Sequence, residues 1–150
     1  MSTDCLFCRI AAGSVPAHIV HEDDDTLAFL DLFPIRPGHA LVIPRAHHVW
    51  FEDMPEPVAA RVMTVSQQIA RAMKAEYGVG RVALFFTGIH VPHAHAHLVP
   101  MHHPHDVTSA AYMAEGPDSY TQPPRLDESE MSDHAARIRA RLPGRIPTGS

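Results

Sequence analysis

Gly88-Ile89-His90-Val91-Pro92-His93-Ala94-His95-Ala96-His97-Leu98-Val99-Pro100 is the stretch on which the fold and the chemistry of this chain turn. From His93 to His97 every second residue is a histidine, and the residues between them are small. Residues two apart on a β-strand share a face. The alternation therefore predicts a strand over 91–99, with three imidazoles on one side and Ala94, Ala96 and Leu98 turned into a core. At about 3.3 Å per residue, His93 and His97 stand roughly 13 Å apart, too far for one zinc ion with bonds of about 2.0–2.1 Å to take all three. The row reads as divided labour, with one His for structure, one for chemistry and one for substrate. Imidazole suits work on phosphates: the neutral ring is a nucleophile near pH 7, and the protonated ring donates hydrogen bonds to phosphate oxygens. The plain alternative is a surface row of titrating histidines, an expensive thing to keep beside a glycine bend.

Immediately upstream, Gly88 permits a tight bend and Arg81-Val82-Ala83-Leu84-Phe85-Phe86 reads as a buried strand. Before it, Val58, Val62, Val65, Ile69, Ala72 and Met73 recur at helical spacing, predicting a helix of about 23 residues capped by Gly78. Asp53-Met54-Pro55-Glu56 looks like its capping box. Further back, His39-Ala40-Leu41-Val42-Ile43 is a strand stopped by Pro44, and 18–21 and 26–31 form a hairpin. The acidic run Asp23-Asp24-Asp25 in that hairpin reads as a solvated turn rather than a metal site. Near the start, Cys5 and Cys8 are spaced C-x-x-C and open a brief helix from Leu6 to Ala12, closed by Gly13. No strand precedes it, which favours metal over redox chemistry if two more ligands exist. Downstream, residues 102–126 form a loop rich in Pro and His. A helix over 127–142 follows, with Met131, Ala135, Ile138 and Leu142 on one side, and then a frayed tail to residue 150. Five strands in antiparallel order with one long helix packed on them give an α+β class.

Composition narrows the function. The chain has 150 residues, enough for one domain with a tail, and a formal charge of −5 from 12 basic and 17 acidic residues. Without a basic surplus, nucleic acid is an unfavourable partner. No apolar run reaches the ~18–20 residues that cross a bilayer, and no basic-then-apolar leader opens the sequence. These features predict a cytoplasmic protein with no membrane partner. Thirteen histidines stand against one lysine, and seven fall between His90 and His105, so net charge should climb steeply on acidification through pH 6.5.

His93-Ala94-His95-Ala96-His97-Leu98-Val99 resembles the signature of the histidine triad (HIT) superfamily, in which three histidines alternate with apolar residues. Cys5-Leu6-Phe7-Cys8-Arg9-Ile10, Leu27-Ala28-Phe29-Leu30-Asp31-Leu32 and Gly38-His39-Ala40-Leu41-Val42-Ile43-Pro44 are similar to further blocks of its Hint-like bacterial branch, in the same order. The resemblance spans residues 4–101. It implies a HIT-like antiparallel sheet of about five strands, with the long helix, a short N-terminal helix and a C-terminal helix. It also implies a homodimer joined through its sheets.

The resemblance assigns roles residue by residue. His95 would attack the α-phosphorus of a nucleotide derivative, giving a nucleotidyl-histidine that water hydrolyses. His97 would hydrogen-bond the α-phosphate, Asp31 would bind the ribose hydroxyls, and Phe29 and Leu32 would help wall the base pocket. Gly88 and Val91 would border the bound nucleotide. His39 would lie behind the triad as an orienting group, or serve as a satisfied core histidine. Bacterial relatives with C-x-x-C hold a structural zinc, here through Cys5, Cys8, His47 and His93. His48 competes, but alignment from Ile43-Pro44 favours His47, and two free buried thiols are the alternative to metal. The implied activity is hydrolysis of purine nucleoside phosphoramidates or related nucleotidyl conjugates, with no cofactor needed for catalysis. A dinucleoside-polyphosphate hydrolase and a non-catalytic, zinc-stabilised nucleotide-binding protein are the rivals. The chain departs from the family at Gly88-Ile89-His90-Val91-Pro92-His93, where hydrolytic relatives carry Gly-Gln-Ser/Thr-Val-x-His after an Asn-bearing loop. His90 would then supply a substitute donor or protonate the leaving group.

Overall fold

The computed structural model describes residues 4–104, 106–107 and 123–144. Among them, β1 (Ile19–Glu22), β2 (Thr26–Leu30), β3 (Ala40–Pro44), β4 (Val82–Phe85) and β5 (Ala96–Pro100) form one sheet in the order β1-β2-β3-β5-β4, antiparallel throughout. Among the described residues three α-helices accompany the sheet: α1 (Leu6–Ala11), α2 (Glu56–Tyr77) and α3 (Glu128–Arg141). The α+β class and the five-stranded sheet expected from the sequence are present. None of the described helices is long and apolar enough to cross a membrane.

Alternation along the central strands sorts the core into two faces. Ala28, Leu30, Ala40, Val42, Ala96 and Leu98 point to α2 and α3, meeting Val65, Ile69, Met73, Met131 and Ile138. Leu27, Phe29, Leu41 and Ile43 point the other way, where α1 covers them with Cys5, Phe7 and Cys8. Both faces of β2 and β3 are covered, so all their residues are buried. Asp31 lies two residues beyond Phe29, His39 two before Leu41, and His97 pairs with Leu41. Parity therefore delivers all three to the α1 face.

Four expectations need correction. The strand carrying the triad begins at Ala96 rather than at 91. Pro92 lies in a tight turn closed by His93 N–H to Val91 C=O (2.8 Å), and Ala94 N–H donates to His48 C=O (2.6 Å). The histidine alternation thus survives outside the ladder, because loop 45–48 takes over as partner. Strand β4 is half-exposed, not buried, because it is the edge of the sheet. The capping box at Asp53 does not form: Asp53 ends a 3-10 turn, Pro55 is the N-cap and Pro57 lies in the first turn. Pro57 has no N–H, so one donor that a cap would satisfy is absent.

The fourth correction concerns Asp23, which is buried rather than solvated. Its carboxylate accepts from the backbone N–H of Asp25 and Thr26, the Thr26 hydroxyl (2.8 Å) and Arg61 Nη2 (2.7 Å), and contacts His21 Nε2 (2.9 Å). These bonds hold its pKa far below the usual carboxylate range, although burial alone pulls the other way. Breaking a buried pair from one side leaves an uncompensated charge. Arg61→Met should therefore destabilise the fold by about 3–5 kcal/mol in urea titration at pH 7. A loss below about 1 kcal/mol would show that the pair is dispensable.

Candidate functional site

The expected residues converge on the α1 face of the sheet. His95 and His97 line a cleft of about 760 Å³ together with Asp31, Phe29, Leu32, Val91, His90 and Thr87. Gly88 is not part of its wall. There φ is +67°, and a Cβ would meet the Trp50 ring at 2.7 Å, so this glycine serves the bend and the close approach of Trp50. Leu6 and Ile10, one helical turn apart on α1, add apolar wall. Their i, i+4 spacing around Cys8 was the available signal for it. His18, Arg125 and Glu128 also line the cleft, and nothing in their local sequence marks them for it.

The proton on each triad imidazole is fixed by a backbone group, directly for His93 and His95 and through His39 for His97. His95 Nδ1 lies 2.6 Å from His93 C=O; a carbonyl only accepts, so Nδ1 carries the proton and Nε2 keeps its lone pair. His39 Nδ1 accepts from Ile35 N–H (3.1 Å), so its proton is on Nε2, which donates to His97 Nδ1 (2.9 Å). His97 must then carry its proton on Nε2, a buried atom without a hydrogen-bond partner among the described residues. Phe85 stacks on the His97 ring at 4.7 Å and holds its plane. The site therefore presents one imidazole with a free lone pair and another with a free N–H. His39 acts as the orienting group.

Burial keeps these rings neutral. It lowers the pKa of His95, and lowers His39 to about 4 and His97 to about 3, with neighbouring histidines adding to the effect. Asp31 moves the other way, raised by burial. Its Oδ1 accepts from Phe33 N–H (2.9 Å), while Oδ2 stands 3.7 Å from His39 Nε2 at the cleft.

The first triad histidine belongs to a second cluster. Cys5, Cys8, His47 and His93 bring four ligand atoms within 4.8 Å of one another. His93 Nε2 donates to Pro44 C=O (2.8 Å), which leaves the Nδ1 lone pair facing Cys5 Sγ (3.4 Å) and Cys8 Sγ (3.5 Å). His47 Nδ1 lies 3.2 Å from Cys8 Sγ. Tetrahedral bonds of about 2.0–2.3 Å put neighbouring donors about 3.5 Å apart, so the donor set fits zinc with no position left open. His48 does not join it.

The family model described as HIT domain matches residues 12–104. An uncharacterized HIT-like protein of Methanocaldococcus jannaschii is 36% identical over 104 residues, covering 64% of this chain and 78% of its own. An adenosine 5'-monophosphoramidase of Saccharomyces cerevisiae is 35% identical over 101 residues, 64% of this chain and 61% of that protein. Among solved structures, a zinc-bound histidine triad family protein of Mycobacterium smegmatis superposes with a TM-score of 0.73 at 28% identity, covering 95% of both chains.

The depressed pKa values of His39 and His97 fix the sign of a stability change. Unfolded histidines take up protons near pH 6.5, whereas the folded ones do so only near 4 and 3. This contribution is complete above pH 6.5 and is lost on acidification towards those values. Two such groups give a slope approaching roughly 2.7 kcal/mol per pH unit. His93 and His95 act in the same direction, and Asp31 opposes it. Urea midpoints measured from pH 7 to 4 should fall accordingly, and less steeply in His97→Asn; a flat profile would contradict the neutral pair.

Proposed function

The chain belongs to the HIT family, and on that premise we propose that it is a hydrolase of purine nucleoside phosphoramidates or related nucleotidyl conjugates. The observation that carries the reading is the opposed proton placement on His95 and His97. His95 Nε2, with its lone pair free, attacks the α-phosphorus, forming a P–N bond as the bond to the leaving group breaks. His97 Nε2–H donates to a non-bridging oxygen and stabilises the charge that develops there. Water then cleaves the nucleotidyl-histidine and returns His95 to its starting tautomer. Asp31 takes the ribose hydroxyls, and Leu6, Ile10, Phe29 and Leu32 enclose the base. Val91 borders the nucleotide. His90 stands exposed at the cleft mouth, where the leaving group departs, and gives it a proton.

The yeast relative's description as an adenosine 5'-monophosphoramidase supports this substrate class. A dinucleoside polyphosphate would ask for more cations near the phosphates, and the one lysine, Lys74, lies on α2, outside the cleft lining. The binding-protein reading is favoured by Ile89 and His90, which stand where hydrolytic relatives carry Gln and Ser or Thr.

Cys5, Cys8, His47 and His93 would hold a structural zinc, which would tie α1 to the loop after β3 and the loop before β5 and take no part in the reaction. The zinc-bound neighbour supports this assignment. We also propose a homodimer: β4 is an open edge, and Leu84, Ile89, Trp50 and Phe51 expose apolar surface around it. A cytoplasmic location agrees with two cysteines that form no disulfide.

The test is intact-protein mass spectrometry after brief mixing with adenosine phosphoramidate, quenched at alkaline pH. A wild-type adduct of AMP size is expected, with none on His95→Ala. Steady-state turnover should vanish in His95→Ala and fall about 10²–10³-fold in His97→Ala. Because catalysis needs neutral His95 and burial lowers its pKa, the acid limb of kcat/KM should lie below pH 6.5. Unchanged activity in His95→Ala would sink the covalent mechanism; ligand binding without turnover in wild type would favour the binding protein. Elemental analysis should find one zinc per chain, lost in Cys8→Ser together with several degrees of Tm. Metal-free protein with two freely titrating thiols would refute the metal site.

A further inference from the structure

The cleft does not end at Asp31. It continues to the opposite edge of the sheet, where His18, Arg125 and Glu128 line it. His18 sits at the head of β1, held beside the end of β2 by Leu30 N–H donating to its carbonyl (3.0 Å). Its Nε2 is 2.9 Å from Glu128 Oε2, and Arg125 Nη2 donates to Glu128 Oε1 at 3.0 Å. One carboxylate at the start of α3 thus anchors a guanidinium to the rim of the cleft.

Position and chemistry together say what this group meets. In the sheet order, β1 is three spacings from β5, or about 14 Å, and β2 lies two spacings away. A nucleotide with its phosphorus at His95 and its ribose at Asp31 has only its base left to extend towards the cluster. Each oxygen of Glu128 already holds one partner, His18 Nε2 and Arg125 Nη2. Arginine has five N–H donors, and among the described residues Arg125 spends one, on Glu128. What Arg125 leaves free on this side is therefore a planar array of donors. That array matches a base edge carrying two adjacent acceptors. Guanine offers O6 and N7, whereas adenine sets its N6 amino donor beside N7.

We propose that Arg125, oriented by Glu128, reads the O6/N7 edge of the base and makes this a guanine-preferring nucleotide site. The inference rests on the nucleotide reading above and adds a base preference to it. Arg125 is a specificity residue here and takes no part in the phosphorus chemistry.

Calorimetric titration of the full chain with GMP and with AMP tests it. Wild type should bind GMP about tenfold tighter or more, the discrimination a bidentate arginine provides. Arg125→Ala should bring GMP down to the AMP level while leaving AMP within about twofold of its original affinity. Arg125→Lys keeps the charge and loses the fork, and should lose the preference as well. Arg125 is half-exposed, with a side-chain exposure of 53%, so these variants are expected to fold. Equal or tighter binding of AMP by wild type would overturn the proposal. So would equal weakening of both nucleotides in Arg125→Ala, which would make the residue a phosphate contact, or full preference retained in Arg125→Lys. Failure of wild type to bind either nucleotide would overturn the nucleotide reading itself, and the base preference with it.

Discussion

The His93 ring is the constraint from which the rest of the site follows. Its two nitrogens are committed in opposite directions, Nε2 to the Pro44 carbonyl and Nδ1 to the sulfurs of Cys5 and Cys8. That double attachment immobilises the residue whose own carbonyl sets the His95 tautomer. The chain here lies outside the β-ladder, so no strand partner holds the carbonyl in place. A fully buried side chain does so instead. The first two of the alternating histidines are thus linked in series: the first fixes backbone, the backbone fixes the second, and the second's lone pair faces the cleft.

His39 does for His97 what His93 does for His95. Its proton is set by the Ile35 N–H, and it passes that setting on as a donor to His97 Nδ1. Both hydrogen-bond relays begin at a backbone group that cannot change its role, an amide N–H in one case and a carbonyl in the other. Burial reinforces them, because a protonated ring would lack the acceptor that each arrangement requires. Neutral, pre-oriented imidazoles are what a nucleophile and a charge-stabilising donor need, and the same features make the site sensitive to acid.

Much of this was legible in the sequence because it rests on periodicity. The two-residue repeat placed His93, His95 and His97 on one face, and the 3.6-residue stripe from Val58 to Met73 gave α2. C-x-x-C with two later histidines gave the metal cluster once the family blocks had set the spacing. Apart from the capping box at Asp53, which fails locally, the misreadings share a cause: each depended on what lies across from a segment rather than within it. Arg81 to Phe86 has the composition of a central strand, and only the sheet order makes it an edge. Asp23 looks like a solvated turn residue because Arg61, its buried partner, is 38 positions away on α2. Arg125 and Glu128 sit in a stretch without marked periodicity, and reach the cleft because α3 packs against α2 and β1.

The chemistry of the phosphate end follows from what the cleft lacks. Its lining near the triad contains histidines, Asp31, a threonine and apolar residues; the single lining arginine stands at the far rim, paired with Glu128. A site rich in fixed cations binds a phosphate strongly in every state, and uniform binding of that kind does not raise kcat. Neutral donors discriminate better. In the proposed reaction a hydrogen bond from His97 would strengthen as negative charge accumulates on the phosphoryl oxygens, yet in the ground state it would hold the ligand only weakly. The product monophosphate would then not be retained by ion pairs at the triad. Affinity would instead come from apolar walls and the proposed ribose contact, at a distance from the reacting phosphorus. This division of binding from chemistry would let a chain with one lysine, outside the cleft lining, act on a phosphate ester or amide.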